Sequence, residues 1–228
     1  ELIVFDPNTG ILSDERTRRA VQKFNRAWKR ERGIVVPGFY GRVAGFKNRS
    51  IFTFSRGGSD ITGSILAAYF GASIYENLTD VDGILAADPR IVEFPRLNHV
   101  MTYQEMRELS YMGAKVFHAD AVAHVRAAGI PIHVRNTNNP KGRGTMIVPK
   151  LTKKPRLRVT GIAGKNGFSI ITMEKFGMDD EMGIIERTAR IFRKLGVGIN
   201  STSSIDSLTF IVETEAYLPV EGKILEEL

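Results

Sequence analysis

The chain has 228 residues, 43% of them apolar and 25% charged, with a formal net charge of +7 and no cysteine. This is enough for one large domain, or a medium one and a small one, of ordinary globular composition. The missing cysteine excludes a disulfide framework, a thiolate metal site and a cysteine nucleophile. No apolar run is long enough to cross a bilayer and no signal-peptide pattern opens the chain, so a cytoplasmic protein without a membrane partner is expected. The sequence opens on Leu2-Ile3-Val4-Phe5 without an initiator Met, which reads as a piece of a longer protein.

The first helix is expected after Ser13, its cap, with Asp14 and Glu15 in the first turn and Gly33 as its stop. Val21, Phe24 and Trp28 form its apolar stripe. It carries much of the positive charge, through Arg16, Arg18, Arg19, Lys23, Arg26, Lys29, Arg30 and Arg32. Without an RNA-type aromatic motif or zinc-finger spacing, this reads as a solvated face, and no nucleic-acid partner is expected. Ile34-Val35-Val36 reads as a short strand stopped by Pro37-Gly38, and residues 51–54 as the next strand. A helix over 60–70 with Ile61, Ile65 and Ala68 inward stops at Gly71, and a strand starting at Ala72 runs into Thr79-Asp80. Residues 82–101 read mostly as loop, with Asp88-Pro89-Arg90 as a turn. Thr102 and Glu105 make a capping box for a helix ending at Gly113. A helix over 118–128 closes at Gly129, and strands over 130–134 and 145–148 flank a polar turn region, 136–144.

Strands alternating with helices predict βαβ units and a largely parallel sheet, with ligands at the carboxyl ends of its strands. The stretch Pro149–Pro155 reads as a linker. Beyond it, a strand (168–173), a helix (180–195, with Met182, Ile185, Ala189 and Phe192 inward), strands at 197–200 and 208–212 joined by a serine-rich turn, and a helix from Val220 give a β-α-β-β-α plan.

The most informative stretch is Phe54-Ser55-Arg56-Gly57-Gly58-Ser59-Asp60, a strand, a glycine turn and a helix start. Two glycines let main-chain N–H groups approach an anion, and the helix start adds unpaired donors and the positive end of its dipole. Arg56 can fork onto a carboxylate or phosphate. Asp60 sits where it could hold a lysine or a reacting hydroxyl. His99, His118, His124 and His133 lack convergent ligand spacing and read as structural or surface groups, with no metal site expected. No serine–histidine–acid set stands out.

Four more pieces accompany the turn: Val36-Pro37-Gly38-Phe39-Tyr40-Gly41, Thr79-Asp80-Val81-Asp82-Gly83, Asp88-Pro89-Arg90 and Gly113-Ala114-Lys115-Val116. In this order and spacing the chain resembles the C-terminal half of the amino-acid kinase domain of aspartokinases, over residues 34–148, and residues 159–228 resemble the start of their ACT regulatory region. The resemblance implies a partial three-layer αβα amino-acid kinase fold of the carbamate kinase type over 1–149, followed over 150–228 by part of a ferredoxin-like βαββαβ ACT domain. It implies ATP- and Mg2+-dependent phosphorylation of the aspartate side chain. In that reading Arg56 grips the substrate α-carboxylate with Ser59 nearby, Gly57 and Gly58 donate main-chain N–H groups, and Asp60 organises a lysine from the family's N-terminal Lys-Gly-Gly motif, which this sequence lacks. Thr79, Asp80, Arg90 and Lys115 attend the nucleotide. Met178, Glu181, Ile184, Asn200, Ser203 and Ser204 would bind an amino-acid effector near an interface between ACT modules, which also implies a homo-oligomer. Leu85 stands where relatives often have tyrosine, and Ala119 follows His118 where they usually have proline. Asn200 stands where lysine-sensing relatives often have aspartate, which weighs against lysine without excluding it, so the effector stays open between lysine and threonine. The alternatives are a non-catalytic amino-acid-sensing, dimerising fragment and another kinase of the same superfamily.

Overall fold

The computed structural model describes residues 3–5, 14–27, 33–43, 51–54, 57–111, 121–152, 159–174, 183–204 and 207–228. The chain divides into two compact units, Glu1–Gly164 and Lys165–Leu228. The division lies beyond the proline-flanked stretch because the first unit holds residues 159–163. The Ile162 amide donates to the Ala86 carbonyl at 2.7 Å, the Thr160 hydroxyl bonds Glu105, and Ala163 packs on the core.

The first unit runs β1 (Val4–Phe5), α1 (Asp14–Ala27), β2 (Tyr40–Val43), β3 (Ile51–Thr53), α2 (Gly58–Phe70), β4 (Tyr75–Thr79), β5 (Ile84–Leu85), β6 (Leu97–Asn98), β7 (Val100–Thr102), α3 (Tyr103–Tyr111), α4 (Ala121–Ala127), β8 (Ile132–Asn136) and β9 (Thr145–Val148). Its main sheet has the order β4-β8-β9-β7 and is mixed: β4–β8 and β7–β9 are parallel, β8–β9 antiparallel. The expected largely parallel sheet fails at β8–β9 because no crossover helix separates these strands; a polar turn makes them a hairpin. The core gathers Ile61 and Ile65 from α2, Met106 from α3, Val125 from α4, Ile132 and Val134 from β8, and Ile147 from β9. Helix α1 buries Val21 on the expected stripe, while Trp28 lies outside the described residues.

Residues 34–36 form no strand, and Val35 is 98% exposed. The ladder starts later, at Tyr40, where β1 and β3 flank β2 and pair with it. A β-branched run becomes a strand only where neighbours complete it. The presumed loop at 82–101 also contains β5, β6 and the start of β7. The capping box of α3 forms fully: the Thr102 amide donates to Glu105 Oε2 at 2.7 Å, and the Glu105 amide donates to Thr102 Oγ1 at 3.2 Å.

The second unit contains β10 (Phe168–Met173), α5 (Ile184–Lys194), β11 (Ile199–Ser204), β12 (Leu208–Glu213), α6 (Thr214–Tyr217), a 3-10 turn (Leu218–Val220) and α7 (Glu221–Glu227). Its antiparallel sheet has the order β10-β12-β11, so β10 is an edge. This is the β-α-β-β-α plan of an ACT-like subdomain. Two expectations shift. The serines of 201–204 continue β11 rather than forming a turn, and α5 buries Ile184, Thr188, Ile191 and Phe192 while Ile185 is 46% exposed. Phe192 is inward in both phases and packs beside Phe210, with ring centroids 5.3 Å apart; the helix is turned about that contact so that Ile184 joins the same core.

Candidate active site

The glycine turn is built from the end of β3 and the start of α2. Gly57 has φ 83°, a left-handed conformation that glycine adopts without cost. Its carbonyl accepts from the amides of Asp60 and Ile61 at 3.0 and 3.2 Å, closing the first helical turn. Helix geometry leaves the Gly58 and Ser59 amides without intrahelical acceptors. Gly58 is buried, and a Cβ there would lie 2.5 Å from Phe54 Cβ and 2.8 Å from Phe39 Cδ2. The second glycine is therefore required by close approach of two aromatic residues.

The Pro37-Gly38-Phe39 loop lies against this turn. A Cβ on Gly38 would sit 3.4 Å from Ser59 Cα. Phe39 is left-handed at φ 77°, a strain of about 1–2 kcal/mol for a non-glycine residue. Three hydrogen bonds hold this arrangement: Phe39 N–H donates to Thr62 Oγ1 (3.1 Å), Phe54 N–H donates to the Phe39 carbonyl (2.8 Å), and Thr62 Oγ1 donates to the Gly58 carbonyl (2.8 Å). Two motifs separate in sequence thus form one wall.

Asp60 faces β4. Its Oδ1 accepts from Asn77 Nδ2 at 3.0 Å, and its carbonyl accepts from the Tyr75 hydroxyl at 3.3 Å. Asn77 is 9% exposed. Burial, with a smaller contribution from the Asp60 charge, pushes the Tyr75 phenol up to about 12 against the opposing hydrogen bond from Asn77, so Tyr75 stays a neutral donor. Sequence reasoning missed both partners. The available signal was their period of two with Thr79, Tyr75-x-Asn77-x-Thr79, which puts polar groups on one face of β4.

Because Asp60 sits beside Asn77, the start of α2 and the carboxyl end of β4 lie together. At that end Thr79 Oγ1 donates to Asp80 at 3.2 Å, and Asp80 is exposed. The Thr79 carbonyl accepts from the Thr137 amide at 2.8 Å, and Asp82 accepts from Asn136 and Asn139 at 2.9 and 3.2 Å, which braces the loop after β4. Gly83 has φ 138°, and a Cβ there would come within 2.5 Å of Thr145 Oγ1. Arg90 is exposed and folds back on Asp88, with its Nε 3.0 Å from Oδ1. This hydrogen bond, and then the Asp88 charge, raise its pKa. No hydrogen bond links Arg90 to the α2 turn among the described residues. Arg56, Lys115, Met178 and Glu181 lie outside the described residues. Ile184 is buried at the start of α5, Asn200 is exposed on β11, and Ser203 and Ser204 are on the same strand.

The sequence pattern of the amino acid kinase family matches residues 5–136. The chain belongs to this family. It is 43% identical over 194 residues to aspartokinase 3 of Bacillus subtilis, covering 84% of this chain and 41% of that protein. It is 32% identical over 211 residues to a bifunctional aspartokinase/homoserine dehydrogenase of Haemophilus influenzae, covering 91% of this chain and 25% of that protein. The crystal structure of Clostridium acetobutylicum aspartate kinase, described as an allosteric enzyme, superposes with a TM-score of 0.85 at 40% identity over 100% of this chain and 51% of that one. The amino-acid kinase member thus spans less than half of the curated aspartokinases it matches and about half of the solved one. The amino-acid kinase fold and the ACT-like plan of the second unit both agree with that structure. No helix among the described residues is long and apolar enough to cross a membrane.

Proposed function

We propose that this chain is part of an aspartate kinase that transfers the ATP γ-phosphoryl group to the aspartate side-chain carboxylate, the first step towards lysine, threonine and methionine. The observation that carries this reading is the glycine turn at the start of α2, walled by the 37–39 loop and tied through Asp60 to the end of β4. Phosphoryl transfer needs in-line positioning and charge neutralisation more than a strong nucleophile. In this reading Arg56 forks onto the aspartate α-carboxylate with Ser59 beside it, and the Gly57–Gly58 main chain donates to developing charge. Asp60 commits Oδ1 to Asn77, so Oδ2 is the oxygen left for a lysine ammonium. Thr79 and Asp80 line the nucleotide, and Lys115 approaches it. Arg90, whose guanidinium is exposed, reaches the phosphates after leaving Asp88, since a solvated ion pair of this kind costs little to break. Mg2+ supplies charge neutralisation on the phosphates when bound. An Mg2+ ion of this kind would be held mainly by phosphate oxygens and one or two carboxylates. The 228-residue sequence contains no Lys-Gly-Gly, so by itself it is expected to turn over no aspartate.

In the enzyme that contains this sequence, Arg56→Ala is expected to raise the KM for aspartate far more than that for ATP. Asp60→Asn should lower kcat about 100-fold with folding retained. Unchanged aspartate saturation in Arg56→Ala removes the carboxylate clamp from this reading.

A second reading is favoured by the edge position of β10, where Ile170 is 69% exposed. The chain then acts as a non-catalytic sensor whose second unit pairs with another module, and an effector such as lysine or threonine meets Met178, Glu181, Ile184, Asn200, Ser203 and Ser204 there. Edge strands with apolar side chains tend to be covered. Light scattering at several concentrations should show association that Ile170→Lys weakens; a monomer at every concentration rejects this pairing.

A further inference from the structure

Away from the glycine turn, the first unit holds a second concavity, a cleft of about 670 Å3 beside β6, β7 and the start of α3. Small-molecule sites commonly enclose about 300–1,000 Å3. Four potential donors line it: Arg96, Asn98, His99 and Arg143. Arg96 makes long hydrogen bonds to the Val159 and Thr160 carbonyls, at 3.3 and 3.4 Å. Neither Arg96 nor Arg143 is paired with a carboxylate among the described residues. Asn98 is 2% exposed, and its Nδ2 has no hydrogen-bond partner. Buried amide donors are nearly always satisfied, and an exception calls for a group that completes it.

The acidic residue in the lining, Glu105, is already committed. Oε2 accepts from the Thr102 amide and hydroxyl at 2.7 and 2.8 Å, and Oε1 accepts from the Thr160 hydroxyl. Burial pushes its pKa up, but the bonds from Thr160 and Thr102 together outweigh this and hold it low, so Glu105 remains a carboxylate and a structural acceptor. The cleft therefore offers unmatched donors with Leu97, Leu151 and Val159 as apolar surface. Its lining shares no residue with the 36–41, 54–60, 79–83 or 88–90 motifs.

The geometry points to a second ligand site: the cleft binds a small organic anion whose carboxylate or phosphate group is held by Arg96 and Arg143, beside the buried Asn98. A guanidinium fork matches either oxyanion. Occupancy also has a direct route to the Asp88-Pro89-Arg90 turn. Thr160 and Arg96 secure the segment whose Ile162 amide bonds the Ala86 carbonyl, two residues before Asp88. An anion bound there holds that segment in place and steadies the Asp88-Pro89-Arg90 turn from outside the active site.

Calorimetric titration of the whole chain with inorganic phosphate, and separately with succinate, each against chloride at matched ionic strength, tests the site. At least one probe should bind saturably, Arg143→Gln should weaken it tenfold or more, and the Ile162 amide should exchange more slowly in its presence. Arg143 is exposed, so this variant should keep the thermal midpoint of the parent chain. Saturation by phosphate alone assigns the ligand to phosphate esters; saturation by succinate alone assigns it to polycarboxylates. The proposal falls if neither probe saturates, if Arg143→Gln binds as tightly as the parent, or if Arg56→Ala abolishes binding, which would locate it at the glycine turn.

Discussion

Helices α2 and α5 both begin on a left-handed glycine, Gly57 at φ 83°, ψ 10° and Gly183 at φ 81°, ψ 7°. Their surroundings differ. Around the start of α2, Phe39 and Phe54 crowd Gly58, Tyr75 crowds Gly63, and Asn77 fixes Asp60. Around Gly183 no atom of the described residues would lie within 4 Å of an added Cβ, and Ile185 is exposed one residue after the buried Ile184. The same backbone device is immobilised by packing in one unit and left accessible in the other. A pre-organised catalytic surface needs the first arrangement; a surface completed by an effector or a second module is compatible with the second.

The sharpest test compares two helical glycines. In an open helix position Gly→Ala gains about 0.5–1 kcal/mol, and Gly222 in α7, with nothing within 4 Å, should show that gain. Gly58→Ala should instead lose about 1–3 kcal/mol, because Phe54 Cβ is only 2.5 Å from the new methyl. Amide exchange of the core of each unit reads the two changes separately. Equal signs would remove the contrast.

A pair of buried threonines gives a smaller effect. Thr62→Val strips the acceptor from the Phe39 amide and should cost about 1–3 kcal/mol in the first unit. Thr188, equally buried, bonds only Met173 Sδ at 3.9 Å, so Thr188→Val should change the second unit by less than about 0.5 kcal/mol. Matching losses would mean that the 37–39 loop is not held by Thr62.

The gentlest test is pH. The Tyr75 phenol is raised to about 12 in the folded chain, chiefly by burial, from an ordinary 10.0. Its stabilising contribution is complete below pH 10 and is lost as pH rises from about 10 to about 12, because the unfolded chain releases the proton first. Tyr75→Phe should reduce the alkaline loss of stability in the first unit, leaving the part due to Tyr103, which burial also raises to about 12, and leave the second unaltered. Tyrosinate absorbance during alkaline titration, with exchange measurements in each unit, checks this; an unchanged slope in Tyr75→Phe rejects it.

Much of the local structure is legible in the residues. Gly71, Gly129 and Gly196 all take the positive φ expected of helix stops, and Thr102 with Glu105 forms the capping box that their spacing predicts. These are one-turn effects that need no distant partner. The glycine turn is equally local in origin, and its kinship with aspartokinases rests on motifs that can be read in order. By contrast, residues 34–36 and 100–102 look like strand and loop, yet only the latter form a strand, because β9 is available to pair with Val100–Thr102. The phase of α5 also escaped pattern reading: Ile184 and Ile191 compete with Ile185 and Ala189 for the inward face beside Phe192, and packing on the sheet buries the first pair.

The sequence by itself determined the helix ends, the glycine turn with its charged neighbours and the family to which the chain belongs, since each depends on residues adjacent in the chain or on an ordered set of motifs. The tertiary structure decided what surrounds that turn: the strained Phe39 held by Thr62, Asn77 beside Asp60, and the 159–163 segment anchored on Ala86 and Glu105. These contacts join residues distant in sequence, and pairing, burial and hydrogen-bond satisfaction select them only when the elements meet.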